Sequence, residues 1–139
     1  MIRIVFDTNV IVSALLQPLG PSAQLFIRAL NGSLQLCLTG NVFAEYEEVI
    51  SRPRFKRSPE VIAGTLQSIR DTGLWVRVTD RIHACSDPDD DVFLECAHGA
   101  SADYLVTGNV RHFPPSWTGC RIVAPRTLLD ALSPPGCKL

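Results

Sequence analysis

The chain has 139 residues, 46% hydrophobic and 19% charged, with a formal net charge of −1 at pH 7. That length and balance fit one globular domain with a core of its own and exclude a disordered chain. The near-neutral charge excludes a broad cationic surface for indiscriminate nucleic-acid binding, and no apolar run approaches the ~20 residues that cross a bilayer.

The elements alternate along the chain. Ile2-Arg3-Ile4-Val5-Phe6 is an apolar run of the kind that forms a buried parallel strand, and it ends in Asp7-Thr8-Asn9. These polar residues arrive too early for a signal peptide, so a cytoplasmic location and no membrane are expected. A helix is predicted from about Val10 to Leu16, broken by Gln17-Pro18-Leu19-Gly20. Pro21-Ser22 opens a second helix through Leu30, and Leu34–Leu38 reads as strand two. Asn41 to Ile50 is the next helix, stopped by Arg52-Pro53. Ser58-Pro59-Glu60 combines a cap, a first-position proline and a first-turn acid, predicting a helix to about Thr72 with Gly73 as its stop. Leu74–Val78 is strand three, Asp87-Pro88 opens a helix to about Gly99, Tyr104–Thr107 is strand four and Arg121–Ala124 is strand five. A short helix from Pro125 to Leu132 closes the domain, 1–133, leaving 134–139 as a flexible tail. Such alternation predicts a single-domain α/β/α sandwich on a parallel, roughly five-stranded sheet.

Acidic residues recur where strands meet helices, and in a parallel sheet those ends line one crevice. Asp7 follows strand one; it either caps the next turn or faces that crevice. Glu45 flanks the apolar stripe Val42-Tyr46-Val49-Ile50, whereas Glu47 and Glu48 lie towards solvent. Asp87-Pro88-Asp89-Asp90-Asp91 packs four carboxylates into five residues, more than a helix dipole offsets. Asp87 suits a cap, and Asp90, one turn before Leu94, is best placed at the inner edge. Thr107-Gly108-Asn109 ends strand four with neutral oxygen donors, and Thr8 and Asn9 are positioned to orient Asp7. Converging carboxylates repel unless a cation lies between them, and hard oxygen donors suit Mg²⁺ or Mn²⁺. Arg52, Arg54, Lys56 and Arg57 put four cations into six residues, either a solvated loop or a phosphate-contacting patch.

Other chemistries lack their residues. There is no GxxxxGK[ST], no GxGxxG after a strand and no GxSxG. The five cysteines, Cys37, Cys85, Cys96, Cys120 and Cys137, never fall as CxxC, so a thiolate metal site is not expected. His83, His98 and His112 are not at ligand spacing; His112, just past Asn109, can reach the cleft rim. An aspartyl-nucleophile phosphatase usually needs a second Asp where Asn9 stands.

Four ordered segments, Val5 to Leu16, Glu45 to Phe55, Asp87 to Leu94 and Ala102 to Asn109, resemble the PIN domain, in particular its bacterial branch of toxin components from toxin–antitoxin systems. The resemblance covers nearly the whole chain. It implies a single-strand-directed ribonuclease with an acidic Mg²⁺/Mn²⁺ site, often homodimeric and held in check by a small antitoxin. By that resemblance Asp7 matches the first acid, Glu45 the second and Asp90 the third, with Asp87 and Asp91 as neighbouring candidates for the metal. The family's fourth acid is replaced by Asn109, and a further acid by Arg111. Both changes remove negative charge and weaken a second metal site. Arg52, Arg54 and Arg111 are candidate phosphate contacts. The principal expectation is a metal-dependent endoribonuclease of single-stranded RNA; the alternative is a non-catalytic RNA- or protein-binding module with a degraded site.

Overall fold

The computed structural model describes residues 1–53 and 56–132; Arg54, in the basic run, and the tail 134–139 lie outside the described residues. Strands β1 (Arg3–Phe6), β2 (Gln35–Leu38), β3 (Leu74–Trp75), β4 (Tyr104–Val106), β5 (Ser116–Trp117) and β6 (Cys120–Val123) form one sheet in the order β3-β2-β1-β4-β6-β5. Helices α1 (Thr8–Leu16), α2 (Pro21–Leu30), α3 (Gly40–Ile50), α4 (Pro59–Thr72), α5 (Asp91–Ala100) and α6 (Pro125–Leu132) fill the connections. Consecutive residues Ile4, Val5 and Phe6 of β1 are all fully buried, as are Leu36, Cys37 and Leu38 of β2. Since successive strand side chains point to opposite faces, both faces of the sheet are covered. This is the expected α/β arrangement.

The sheet has six strands rather than five. Ser116 and Trp117 pair antiparallel with β6 through a turn at Thr118-Gly119, both with positive φ (42° and 91°). Strand three is shorter than the pattern Leu74–Val78 indicates. Val76 still donates to the Leu38 carbonyl, and the chain then leaves the sheet to run across α5, where the Arg77 carbonyl approaches Gly99 so closely that a Cβ there would lie 2.7 Å from it. Gly99 is thus needed for that approach, and the left-handed residue after α5 is Ser101 (φ 51°). Gly73 ends α4 as predicted, but in extended conformation; a Cβ would lie 2.2 Å from Leu38 Cδ1, so contact explains the glycine. Ser58 caps α4 by accepting from the Val61 amide, as its sequence indicates.

Register places the site. Phe6, Val106 and Val123 lie level on β1, β4 and β6, so Asp7 and Thr107 emerge side by side at one edge of the sheet. The Asp7 amide donates to the Val106 carbonyl and locks this pairing. On β2, Thr39 turns the chain into α3 and caps it, accepting from the Val42 amide at 3.1 Å. Tyr46, fully buried and stacked with Phe93, donates its hydroxyl to the Phe6 carbonyl. That bond ties α3 to the end of β1 and brings the neighbouring Glu45 to the same edge.

Candidate active site

Asp7 occupies the N-cap position of α1, yet its side chain makes no capping hydrogen bond. Its Oδ2 instead accepts from the Thr107 hydroxyl at 2.8 Å and from Asn9 Nδ2 at 3.3 Å. The residue is almost wholly buried. Burial raises its carboxyl above the ordinary range; the Thr107 hydroxyl and the nearby Asn9 and Thr8 amides pull the other way, and the charge of Glu45 adds to the rise.

The residues read from the sequence as supporting groups lie around Asp7 and Glu45. Thr8 donates its hydroxyl to Glu45 Oε2. Asn9 accepts from the Gly108 amide at 3.1 Å, bridging the ends of β1 and β4. Thr107, fully buried, also accepts from the Asn109 amide at 3.0 Å. Asn109 itself is exposed.

The acidic run divides sharply. It begins as a 3₁₀ turn, Pro88–Asp90, and becomes α-helix only at Asp91, rather than being helical from Pro88. Asp87 is exposed and caps the turn, accepting from the Asp89 amide at 3.0 Å. Asp90 faces the site: burial pushes its carboxyl up to about 6, the charges of Asp7, Asp87 and Glu45 act in the same direction, and His112 opposes them. Asp91 turns the other way. It is buried, and its Oδ1 accepts from the Ala84 and Cys85 amides at 3.3 and 3.0 Å. One turn on, buried Glu95 accepts from the Ile82 amide at 3.0 Å. Asp91 is therefore committed to the segment before the acidic run, a use that its sequence position does not reveal.

Among the basic candidates, Arg52 is exposed and paired to Glu48 at 2.8 Å. Arg111 lines a groove of about 520 Å³ with Arg121 and Thr127. A groove of about 420 Å³ beside the acids is lined by Asn9, Ser13, Gly108, Asn109 and Arg126. Another, about 330 Å³, lies on the far side of α1 along Thr8, Asn9, Ser13 and Val49. Asn9 and Ser13 line both. Arg126 was not foreseen; the only signal is a cation directly after the Pro125 that opens α6. His112, half-exposed, sets Nδ1 3.6 Å from Asp90 Oδ2, at the cleft rim. The cysteines Cys37, Cys85, Cys96 and Cys120 are free, and burial raises their thiols, Cys37 to about 11 and Cys85 and Cys120 to about 12.

Among the described residues, no three His, Cys, Asp or Glu side chains already stand as a closed ligand cluster. The donor chemistry nonetheless suits a hydrated divalent ion. The charge of Glu45 raises the cost of ionising Asp7, those of Asp7 and Glu45 raise it for Asp90, and no Lys or Arg among the described residues pairs with any of the three. Mg²⁺ and its kin take one or two carboxylates and keep several waters, so a preformed cage is not required.

A family profile of the PIN domain matches residues 3–111. The chain belongs to the PIN domain family. Among solved structures, this PIN domain is similar to a chain of the VapBC2 complex from Rickettsia felis, crystallised with a DNA fragment from its promoter. The two share 14% identity, the match covers 88% of this chain and 98% of that one, and the TM-score is 0.56, a likeness of fold. No curated protein matches the sequence. In this PIN domain no helix is long and apolar enough by itself to cross a membrane, among the described residues.

Proposed function

We propose that this PIN domain is a divalent-metal-dependent endoribonuclease that hydrolyses phosphodiester bonds of single-stranded RNA, and that it is the toxin of a toxin–antitoxin pair. The observation that carries this is the state of Asp7: buried, oriented by Thr107 and Asn9, and not used as a helix cap. Asp7, Glu45 and Asp90 would hold the ion, with Asp87 at the outer edge and Mg²⁺ or Mn²⁺ as the fitting metals. When bound, the ion supplies an activated water and offsets charge on the phosphoryl oxygens.

The chain's own residues supply the rest. Thr107 and Thr8 fix Asp7 and Glu45 by hydrogen bonds, so neither carboxylate must reorganise when substrate arrives. Burial and the neighbouring carboxylates push the Asp90 carboxyl up to about 6 when no ion is bound, so a cation is what lets all three acids ionise together. The grooves flanking α1 give a path for a phosphate backbone, with Arg126 on one wall and Arg111 further along. Arg52 contributes less, since Glu48 already neutralises it. A small antitoxin, a homodimer and a cytoplasmic location belong to the same proposal; membership of the PIN family and the fold shared with VapBC2 support the antitoxin.

One observation favours the alternative, a binding module without catalysis: the exposed Asn109 brings no charge to the position where the family carries a fourth acid. The test is cleavage of a mixed single-stranded RNA pool with Mg²⁺, Mn²⁺ or EDTA, with Asp7→Asn alongside. Metal-dependent cutting that the variant lacks is expected. Retention of RNA with no cutting in either metal would favour the binding module.

A further inference from the structure

The turn after β4 carries His112 in a 3₁₀ segment, Val110–His112, that ends against the acidic turn. Its backbone is fixed at both polar atoms. The amide donates to the Asn109 carbonyl at 3.0 Å, and the carbonyl accepts from the Ser86 amide at 2.9 Å. The second bond joins the β4 turn directly to the segment that presents Asp87 to Asp90. Main-chain contacts that do not depend on a charge between the two residues therefore place His112 beside Asp90.

The separation of the two side chains is informative. Nδ1 of His112 lies 3.6 Å from Asp90 Oδ2, beyond hydrogen-bond range. Two neighbouring donors on one ion, each about 2.1 Å from it, stand about 3.0 to 3.4 Å apart. The pair is within a few tenths of an ångström of that spacing. The half-exposed ring can close the difference by a small rotation.

We propose that His112 is a further ligand of the ion held by Asp90, and that this imidazole–carboxylate pair makes the site select a first-row transition ion such as Mn²⁺ over Mg²⁺. This rests on the metal site proposed above. Carboxylate and water alone serve both ions, whereas an imidazole nitrogen strengthens binding of transition ions and adds little for Mg²⁺. His112 also bears on the departures noted in the sequence. Asn109 and Arg111 remove two anionic donors from the end of β4, and His112 returns one neutral nitrogen donor to the same turn. The site then keeps three carboxylates and a histidine.

The test uses metal-stripped full-length protein and His112→Gln, titrated calorimetrically with Mn²⁺ and with Mg²⁺, and pulsed electron paramagnetic resonance of the Mn²⁺ form. Expected are an imidazole nitrogen coupling in the parent protein, lost in His112→Gln, with Mn²⁺ affinity down about tenfold and Mg²⁺ affinity changed less than about threefold. Independently of any variant, substoichiometric Mn²⁺ should broaden the ring protons of His112 before those of His83 and His98. Mn²⁺ binding without nitrogen coupling, or with coupling that survives His112→Gln, would overturn the role of His112 while leaving the carboxylate site standing. No Mn²⁺ binding by the parent protein would overturn both.

Discussion

Asp90 and Asp91 are adjacent in sequence and do opposite work. Asp90 ends a 3₁₀ turn and faces Asp7, Glu45 and His112, with its carboxyl raised by burial and by like charges. Asp91 begins α5 and spends its carboxylate on two backbone amides of the preceding segment, and Glu95, one turn later, takes a third. One step along a helix rotates a side chain by about 100°, so consecutive acids cannot share a face. The cleft side collects charge that no Lys or Arg among the described residues pairs with. On the other side, backbone amides occupy one oxygen of Asp91 and one of Glu95. The difference shows that an acidic run is not one feature: what counts is which of its members the backbone leaves without a partner.

The largest effect that would break this contrast concerns activity. Asp7→Asn should lower RNA cleavage by a factor of about 10²–10³, the scale expected when an electrostatic group central to the reaction is lost, with the circular dichroism spectrum unchanged. Activity near the parent level would remove the cleft side of the comparison altogether. Next, Asp91→Ala and Glu95→Ala should each destabilise by roughly 1.5–3 kcal/mol, because the part-buried amides of Ala84 and Cys85, or the buried amide of Ile82, lose a charged acceptor. Chemical denaturation measures this, and a change below about 0.5 kcal/mol would deny the clamp.

Replacing Asp90 should change stability in the opposite direction, and by an amount that depends on pH. Its folded pKa lies above the ordinary 3.8, at about 6, so folding favours its protonated form. In metal-free protein that contribution is fully present below about pH 4 and is lost as pH rises through 6. Asp90→Asn should therefore raise the melting temperature by a few degrees at pH 7 and by much less at pH 4. Thermal scans at the two pH values sharpen the contrast, and equal shifts at both would remove it. The smallest effect is expected at Arg52. Its pairing with Glu48 is an exposed i, i+4 contact that solvent screens. Arg52→Ala should change RNA affinity by less than about twofold, whereas Arg126→Ala, on the groove beside the acids, should weaken it several-fold in filter binding at low salt.

Much of the fold is visible in the sequence because its signals are local. Apolar runs closed by turn residues mark β1, β2 and β4, and Ser58-Pro59-Glu60 marks the start of α4 within one residue. The candidate site is visible at Asp7, Glu45, Thr107 and Asn9 for a related reason: each lies at the end of a strand or on the flank of a helix's apolar stripe. What escaped depends on tertiary contact. Strand β5 has two residues and is defined by pairing with β6 rather than by any pattern of its own. Strand β3 stops early because the chain turns to meet Gly99. Glu95 lies within Phe93-Leu94-Glu95-Cys96-Ala97, all of them buried, in a helix that packs over β1, β2 and β4. Neighbours apolar on every side are the one local sign that its carboxylate is internal. Nothing local reveals that Ile82 is its partner. Likewise the 3₁₀ start of the acidic turn, which decides between Asp90 and Asp91, depends on the segment that folds back over α5.

The most direct measurement compares Asp90→Asn with Asp91→Asn, reading both cleavage of single-stranded RNA in saturating Mn²⁺ and unfolding in denaturant. The account predicts that Asp90→Asn loses cleavage and keeps or gains stability, while Asp91→Asn loses stability and keeps its turnover under conditions where it is folded. The reverse pattern, with cleavage lost only at Asp91, would contradict it.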